Sequence, residues 1–418
     1  MFSEKITKVA IISKSDSTGG GASRIASSLT QMLNQIPGIE AHHWAGLPGI
    51  NADWYTFKLH GGRWLSLIQG VCSITSRAIG FPDFFTPELF IHLLSKKIDY
   101  DLYHFHDISF TFSPIALKWL CKRKPVIWTF HDCSPFTGGC ISPMDCKALY
   151  TRCHYCPQLN RLPLGTKIDM TNFMQKYKKN MLANFPITPI MPSAWLRQEC
   201  LKVVQPKIAP IVIPNFVDTD NFRLFNKTTI REILGLPKQK FIVLLSSTSI
   251  NDERKGLEFA LAALSKIYIK PFILAIGKIE KKAEEIFRGW DFYSTGYIYN
   301  DKLLAQYYAA ADIFLFPTLA DSFGLVAIET MACGTPCIAF ATGGVPEIID
   351  HDANGWLVKQ KDVDGLAQGL KIAITEKNRL QKWVSYGLIK VQEKYNPQVF
   401  LDSHLELYSK AINHREEL

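Results

Sequence analysis

No stretch of the 418-residue chain approaches the ~20 uninterrupted apolar residues that a membrane-spanning helix requires. The opening, MFSEKITKVAIISKS, has no apolar core long enough for a secretion signal before Gly19-Gly20-Gly21 interrupts it. A cytoplasmic chain is therefore expected, resting at most against the cytoplasmic face of a membrane. Nucleic-acid motifs are missing as well, so the net charge of +9 is read as suited to an anionic ligand or an anionic lipid surface. A clean G-x-G-x-x-G follows neither opening strand, which argues against a nicotinamide dehydrogenase. In a reducing compartment the ten cysteines point to thiols or metal ligands, not disulfides.

What is present is a globular composition, 47% hydrophobic and 20% charged, on a chain longer than one hydrophobic core usually serves. Two domains are expected. The most informative stretch is ADSFGLVAIETMACGTPCIAFATGGV, Ala320 to Val345. The apolar run Ala311 to Phe316, closed by Pro317, predicts a buried strand before it. Asp321 is placed to cap a helix over Phe323 to Cys333, whose apolar residues recur at helical spacing. The Ser322-Phe323-Gly324-Leu325 turn then offers backbone N–H groups to an anion at the helix start. Glu329, about two turns on, would reach a group set back from that anion. Gly334-Thr335-Pro336 ends the helix, Cys337 to Phe340 is a further strand, and Gly343-Gly344 a further glycine turn. Phosphate at the helix start and a hydroxyl-rich sugar beyond it suit a nucleotide-sugar.

This stretch resembles the E-x7-E signature of the retaining GT-B glycosyltransferases of family 4. Asp321 takes the first acidic place and Glu329 the second, while Phe323, Gly324, Met331, Ala332, Gly334 and Pro336 fit. Aspartate in the first place keeps the charge and shortens the reach by one methylene. The resemblance implies α/β architecture of the GT-B type, two doubly wound Rossmann-like domains facing a central cleft. Residues 1–207 would form the N-terminal, acceptor-side domain with a cysteine loop at 133–157. Residues 208–395 would bind the nucleotide-sugar, and a helix at 396–418 would pack back toward the first domain.

Along the chain, Lys8 to Ser13 predicts the first strand and Ala22 to about Leu33 the first helix. Gly20 and Gly21 between them let backbone approach a ligand. The resemblance lays this loop over the donor phosphates or the acceptor; a tight structural turn is the alternative. Residues 50 to 95 are aromatic and basic, with Trp54, Trp64, Phe85, Phe90 and Arg63 among them. They line an acceptor site, touch lipid head groups, or pack helices onto the sheet. His106 and His131 fall at successive strand ends, where open parallel sheets bind ligands. The T-x-H-D run makes His131 resemble the family's histidine beside the donor sugar. Pro186 to Trp195 reads as the last strand of the first domain, and Ile211 to Asp218 resembles the I-P-N-G-V-D segment that opens the second.

Cys140, Cys146, Cys153 and Cys156 form C-x5-C-x6-C-x2-C. Only the last pair has zinc-knuckle spacing, so a structural zinc and four plain thiols stand as equal alternatives. In the second domain, strands are predicted at Phe241 to Ser246 and Phe272 to Gly277, with a helix at Leu257 to Lys266. Arg254 and Lys255 resemble the basic pair that offsets the donor diphosphate, and Tyr297 lies in the segment that meets the nucleotide base. Gly324, with the N–H groups of Phe323 and Leu325, completes the phosphate site, and Glu329 would take the ribose hydroxyls. Asp321 and His131 would contact the donor sugar and carry the chemistry.

The resemblance thus implies a hexosyltransferase of surface polysaccharide synthesis, of the kind that builds O-antigen or exopolysaccharide. It would use a nucleoside diphosphate sugar as donor, a glycan or lipid-linked glycan as acceptor, and no cofactor for catalysis. Alternatives are a sugar-nucleotide epimerase or phosphorylase on the same fold, or a non-catalytic nucleotide-sugar-binding scaffold.

Overall fold

The computed structural model describes residues 6–416 apart from 48, 50–52, 60, 62, 83, 85–99, 110, 280–284 and 286. Phe85 and Phe90 of the aromatic stretch lie outside the described residues. The chain divides into two compact units, Met1–Ile213 with Leu401–Leu418, and Pro214–Phe400.

In the first unit, seven parallel strands form one sheet: β1 (Thr7–Ser15), β2 (Ile39–Leu47), β3 (Thr56–Lys58), β4 (Leu102–Phe105), β5 (Val126–Thr129), β6 (Ile187–Met191) and β7 (Ile211–Val212). Their order is β3-β2-β1-β4-β5-β6-β7. The order reverses direction between β1 and β4, where Val9 pairs with Leu102 and Ile12 with Phe105. In such sheets the crevice at the reversal is where ligands gather. The glycine loop after β1 and His106 after β4 flank it. Helices α1 (Gly21–Leu33), α2 (Arg63–Ala78) and α3 (Thr171–Asn184) belong to this unit. Pro186 to Trp195 does not supply the last strand. β7 adds a further one, pairing Ile211 with Ile190, and the Ile213 N–H donates to Met191 O at 3.0 Å. The segment expected to open the second domain thus begins by extending the first sheet.

The second unit holds a six-stranded parallel sheet of β8 (Ile242–Ser249), β9 (Phe272–Lys278), β10 (Phe292–Ser294), β11 (Ile313–Phe316), β12 (Cys337–Phe340) and β13 (Gly355–Val358). The order is β10-β9-β8-β11-β12-β13. Both faces are covered, as an all-parallel sheet requires. Along β11, Phe314 and Phe316 pack into one apolar layer and Ile313 and Leu315 into the other. That period-2 alternation explains why the run is hydrophobic throughout. The helices that bear on the site are α4 (Lys227–Ile233), α5 (Leu257–Ser265) and α6 (Leu325–Ala332). The last helix, α7 (Pro397–Glu416), enters the first unit from Leu401 onward. There buried Tyr408 meets His104 Nδ1 at 2.6 Å.

Candidate active site

In the second unit the site is made where the loop after β8 meets the loop after β11. Leu319 N–H donates to Arg254 O at 2.7 Å, and Thr318 Oγ1 donates to the same carbonyl at 3.2 Å. Gly256 takes φ +68°, and a Cβ there would lie 2.0 Å from Pro317 O, so only glycine lets the two loops close to this distance. The closure brings Lys255 Nζ to 3.1 Å from Asp321 Oδ2, both side chains largely shielded. Arg254 beside it is fixed differently. Its guanidinium is held by the carboxylate of Asp252, with Nε 3.0 Å from Oδ1 and Nη2 2.6 Å from Oδ2.

The helix start differs from the one the sequence suggests. Asp321 does not cap α6; its Oδ1 accepts from Phe323 N–H at 3.3 Å, one turn too early. The cap is Gly324, at φ +106°. The helix ladder opens with Ala327 N–H to Gly324 O at 2.9 Å, so Leu325 and Val326 carry first-turn N–H groups that the ladder does not use. Gly343, from the second glycine turn, packs so closely on Asp321 O that its missing Cβ would sit 1.8 Å away. Asp321 is therefore held by backbone on both sides. Glu329, further along α6, is buried at 2% exposure, and its charge, after burial itself, helps push the Cys333 thiol up. Tyr297 meets the Tyr299 ring at 4.6 Å between centroids, beyond the Gly296 carbonyl that receives Gly277 N–H.

In the first unit, Gly20 caps α1 with extended backbone, and nothing lies within 4 Å of where its Cβ would be. Asp16 anchors the loop by accepting from Thr18 N–H and Gly49 N–H. At the strand ends stands a cluster of histidines. His104 is buried with Nε2 2.7 Å from Thr129 Oγ1. Buried His106 holds half-buried His131, Nδ1 to Nε2, at 2.9 Å. His131 is thereby left with Nδ1 for any ligand. His106 Nε2 is buried with no hydrogen-bond partner among the described residues. Burial, and then the neighbouring His404, lowers His131 to about 3. The ring is neutral at pH 7 and can serve a sugar hydroxyl as acceptor or donor according to its tautomer. Asp132 next to it is pushed up to about 6 by burial and then by the nearby Asp107 carboxylate.

Residues 226–389 match the family model "Glycosyl transferases group 1". Over that stretch, which lies within the second unit, the chain is a group 1 glycosyltransferase. An uncharacterized glycosyltransferase of Methanocaldococcus jannaschii is 25% identical over 364 residues, which cover 82% of this chain and 86% of that protein. Among solved structures, sucrose-phosphate synthase of Thermosynechococcus elongatus superposes with a TM-score of 0.73 at 21% identity, covering 98% of this chain and 100% of that one. HepE of Anabaena in complex with UDP-glucose gives 0.67 at 15% identity, covering 96% and 99%. The fold is the GT-B fold of these enzymes.

One expectation for this glycosyltransferase changes with its structure. Among the described residues no group of three or more His, Cys, Asp or Glu is arranged to hold a metal ion. Cys140, Cys146, Cys153 and Cys156 are free, and as placed they do not fit a zinc centre. Nor does their loop lack other supports. From α3, Gln175 accepts from Cys153 N–H at 2.8 Å and donates to Leu149 O at 2.7 Å. Lys178 Nζ donates to Ser134 O at 2.6 Å, and Asp169 accepts from Cys156 N–H at 2.9 Å. Burial pushes the Cys140 thiol up to about 12. The residues missed in the sequence are Asp252, Asp132 and His106's partnership with His131. For Asp252 the signal was present, an acid two places before Arg254, where a short turn can fold the pair together.

Proposed function

We propose that this glycosyltransferase moves a hexosyl unit from a nucleoside diphosphate sugar to a hydroxyl of a glycan or lipid-linked glycan, with retention, in the synthesis of a surface polysaccharide. It would work at the cytoplasmic face of a membrane, in peripheral contact with the lipid. The observation that carries the reading is the Lys255–Asp321 pair set beside the Gly324 helix start. A cation, an acid and first-turn N–H groups together suit a sugar diphosphate, the anion at the N–H groups and Lys255, the sugar at Asp321. UDP-glucose in the HepE structure supports a uridine donor.

In this reading, Arg254, Lys255 and the Phe323-Gly324-Leu325 backbone offset charge on the leaving diphosphate, and Gly20 and Gly21 are further donor-binding residues. Glu329 takes the ribose hydroxyls, Tyr297 lies by the base, and His131 Nδ1 meets the donor sugar. The bond from the anomeric carbon to the phosphate oxygen breaks while the acceptor oxygen bonds the same carbon on the same face. The acceptor's proton passes to the departing phosphate.

A thermal-shift panel of UDP-, GDP- and ADP-sugars tests the donor, since a ligand at 100 times its Kd stabilises the folded chain by about 2.7 kcal/mol. One nucleotide should raise Tm in the natural protein and fail to do so in Lys255→Ala at the same concentration. An equal rise in both would remove Lys255 from the site. Release of free nucleotide only when acceptor is added would distinguish transfer from epimerisation, which needs no acceptor.

A further inference from the structure

His131 meets the donor sugar in the function proposed above, and what it can offer there is decided by the ring behind it. That ring is His106, whose Nδ1 lies 2.9 Å from His131 Nε2 with the two planes 23° apart. His106 is 1% exposed. Its N–H donates to Ile12 O at 2.8 Å and its carbonyl accepts from Trp128 Nε1 at 3.1 Å, so β1 and β5 hold its backbone on both sides. The His104 ring packs against it at 4.3 Å between centroids. Both His104 nitrogens are already engaged, with Tyr408 Oη at 2.6 Å and Thr129 Oγ1 at 2.7 Å. Burial keeps His106 and His131 neutral, so each ring carries one N–H and one bare nitrogen. Two arrangements satisfy the bond between them. If His131 donates, the His106 proton sits on Nε2, a buried N–H with no acceptor among the described residues. If His106 donates, its Nε2 is a bare lone pair and the His131 proton sits on Nδ1. Buried N–H groups without an acceptor are rare in folded proteins, rarer than acceptors short of a donor. The second arrangement is favoured.

We infer that His106 is a positioning residue that holds His131 as its Nδ1–H tautomer, so that His131 presents a hydrogen-bond donor, not an acceptor, to an oxygen of the donor sugar. The inference rests on the contact between His131 and the sugar in the function proposed above and assigns its direction. Nitrogen-15 NMR of the histidine-labelled full-length protein reads the tautomer directly, because protonated and bare imidazole nitrogens resonate far apart, and His131→Gln identifies the signals. The natural protein should show His131 protonated at Nδ1 and bare at Nε2, and His106→Phe should move that pattern towards Nε2–H. Hydrolysis of UDP-glucose, beside calorimetric binding of UDP, measures the consequence. His106→Phe should lower kcat at least tenfold with UDP affinity within twofold of the natural protein. His106→Asn, whose amide N–H can stand where Nδ1–H stood, should recover most of that loss. A proton on Nε2 of His131 in the natural protein would overturn the assignment, and this result decides even if His106→Phe does not fold. Normal turnover by His106→Phe beside an impaired His131→Gln would also overturn it, since His131 would then act without its neighbour. If His131→Gln turned over normally too, the sugar contact proposed above would fall, and the role of His106 with it.

Discussion

Lys255 and Asp321 are set against one another before any donor arrives, and this shapes what each substitution should do. On the proposed function, an incoming diphosphate must compete with the Asp321 carboxylate for the ammonium, 3.1 Å away. A partly shielded pair of this kind is worth about 1 kcal/mol, and 1.4 kcal/mol is tenfold in affinity. Asp321→Asn should therefore tighten binding of the free nucleoside diphosphate by a few-fold, because Lys255 is released to it. The same change should lower kcat, since charge developing on the sugar loses its carboxylate. Lys255→Ala should weaken nucleotide binding, and the double variant should bind like Lys255→Ala alone, a non-additivity expected of residues in contact. Titration calorimetry with the free nucleotide measures all four proteins. If Asp321→Asn binds more weakly than the natural protein, the two side chains do not compete for one ligand.

At the scale of elements, the loops that carry this pair are only as well placed as β8 and β11, and one carboxylate fastens those strands to α4. Asp312, just ahead of β11, accepts from Arg231 Nη2 at 2.6 Å, Lys227 Nζ at 3.0 Å and Ile242 N–H at 2.8 Å. Arg231 also donates from Nε to Ala310 O at 2.8 Å. Removing one partner from a buried, hydrogen-bonded ion pair costs about 3–5 kcal/mol, because the remaining charge stays buried. Asp312→Asn should therefore lower the urea-unfolding free energy of the second unit by about 3 kcal/mol. A loss below about 1 kcal/mol would mean that water reaches the cluster. Much of this framework was legible in the sequence. β12 was read to the residue, and β11 followed from an apolar run closed by proline. The helix cap was not, because Asp321 and Gly324 both precede the apolar spacing and only the left-handed backbone at Gly324 decides between them. The tethers from α3 to the cysteine loop were hidden for another reason. Gln175 and Lys178 reach partners 22 to 44 residues earlier, and no local pattern records such contacts. α2 shows the limit of periodicity itself, since spacing reveals an apolar stripe but not that its Trp64, Val71 and Ile74 are exposed.

Across the whole molecule, the buried histidines make the two units respond differently to acid. His43, His104, His106 and His131 all belong to the first unit. Burial lowers His43 to about 4 and His131 to about 3, and it drives His104 and His106 well below their ordinary value. In the unfolded chain each would titrate near pH ~6.5. Below that pH the unfolded state binds more protons than the folded one, so the stability these groups confer is full above about pH 6.5 and is lost on the way down to their folded values. Asp132 acts in the opposite sense. Its folded value of about 6 lies above the ordinary carboxylate range, so it favours the fold at low pH and gives up that contribution as pH rises through 6. Each group changes stability by up to about 1.4 kcal/mol per pH unit, and four histidines outweigh one aspartate. Scanning calorimetry from pH 7 down to pH 5 should show the transition of the first unit falling steeply. The second unit, whose His351 is exposed, should hold its Tm far better, so that one endotherm separates into two. Asp132→Asn should make the first transition fall more steeply still, because the opposing group is gone. Parallel movement of both transitions, or a first-unit Tm that stays level to pH 5, would show that these rings protonate without unfolding the sheet that holds them.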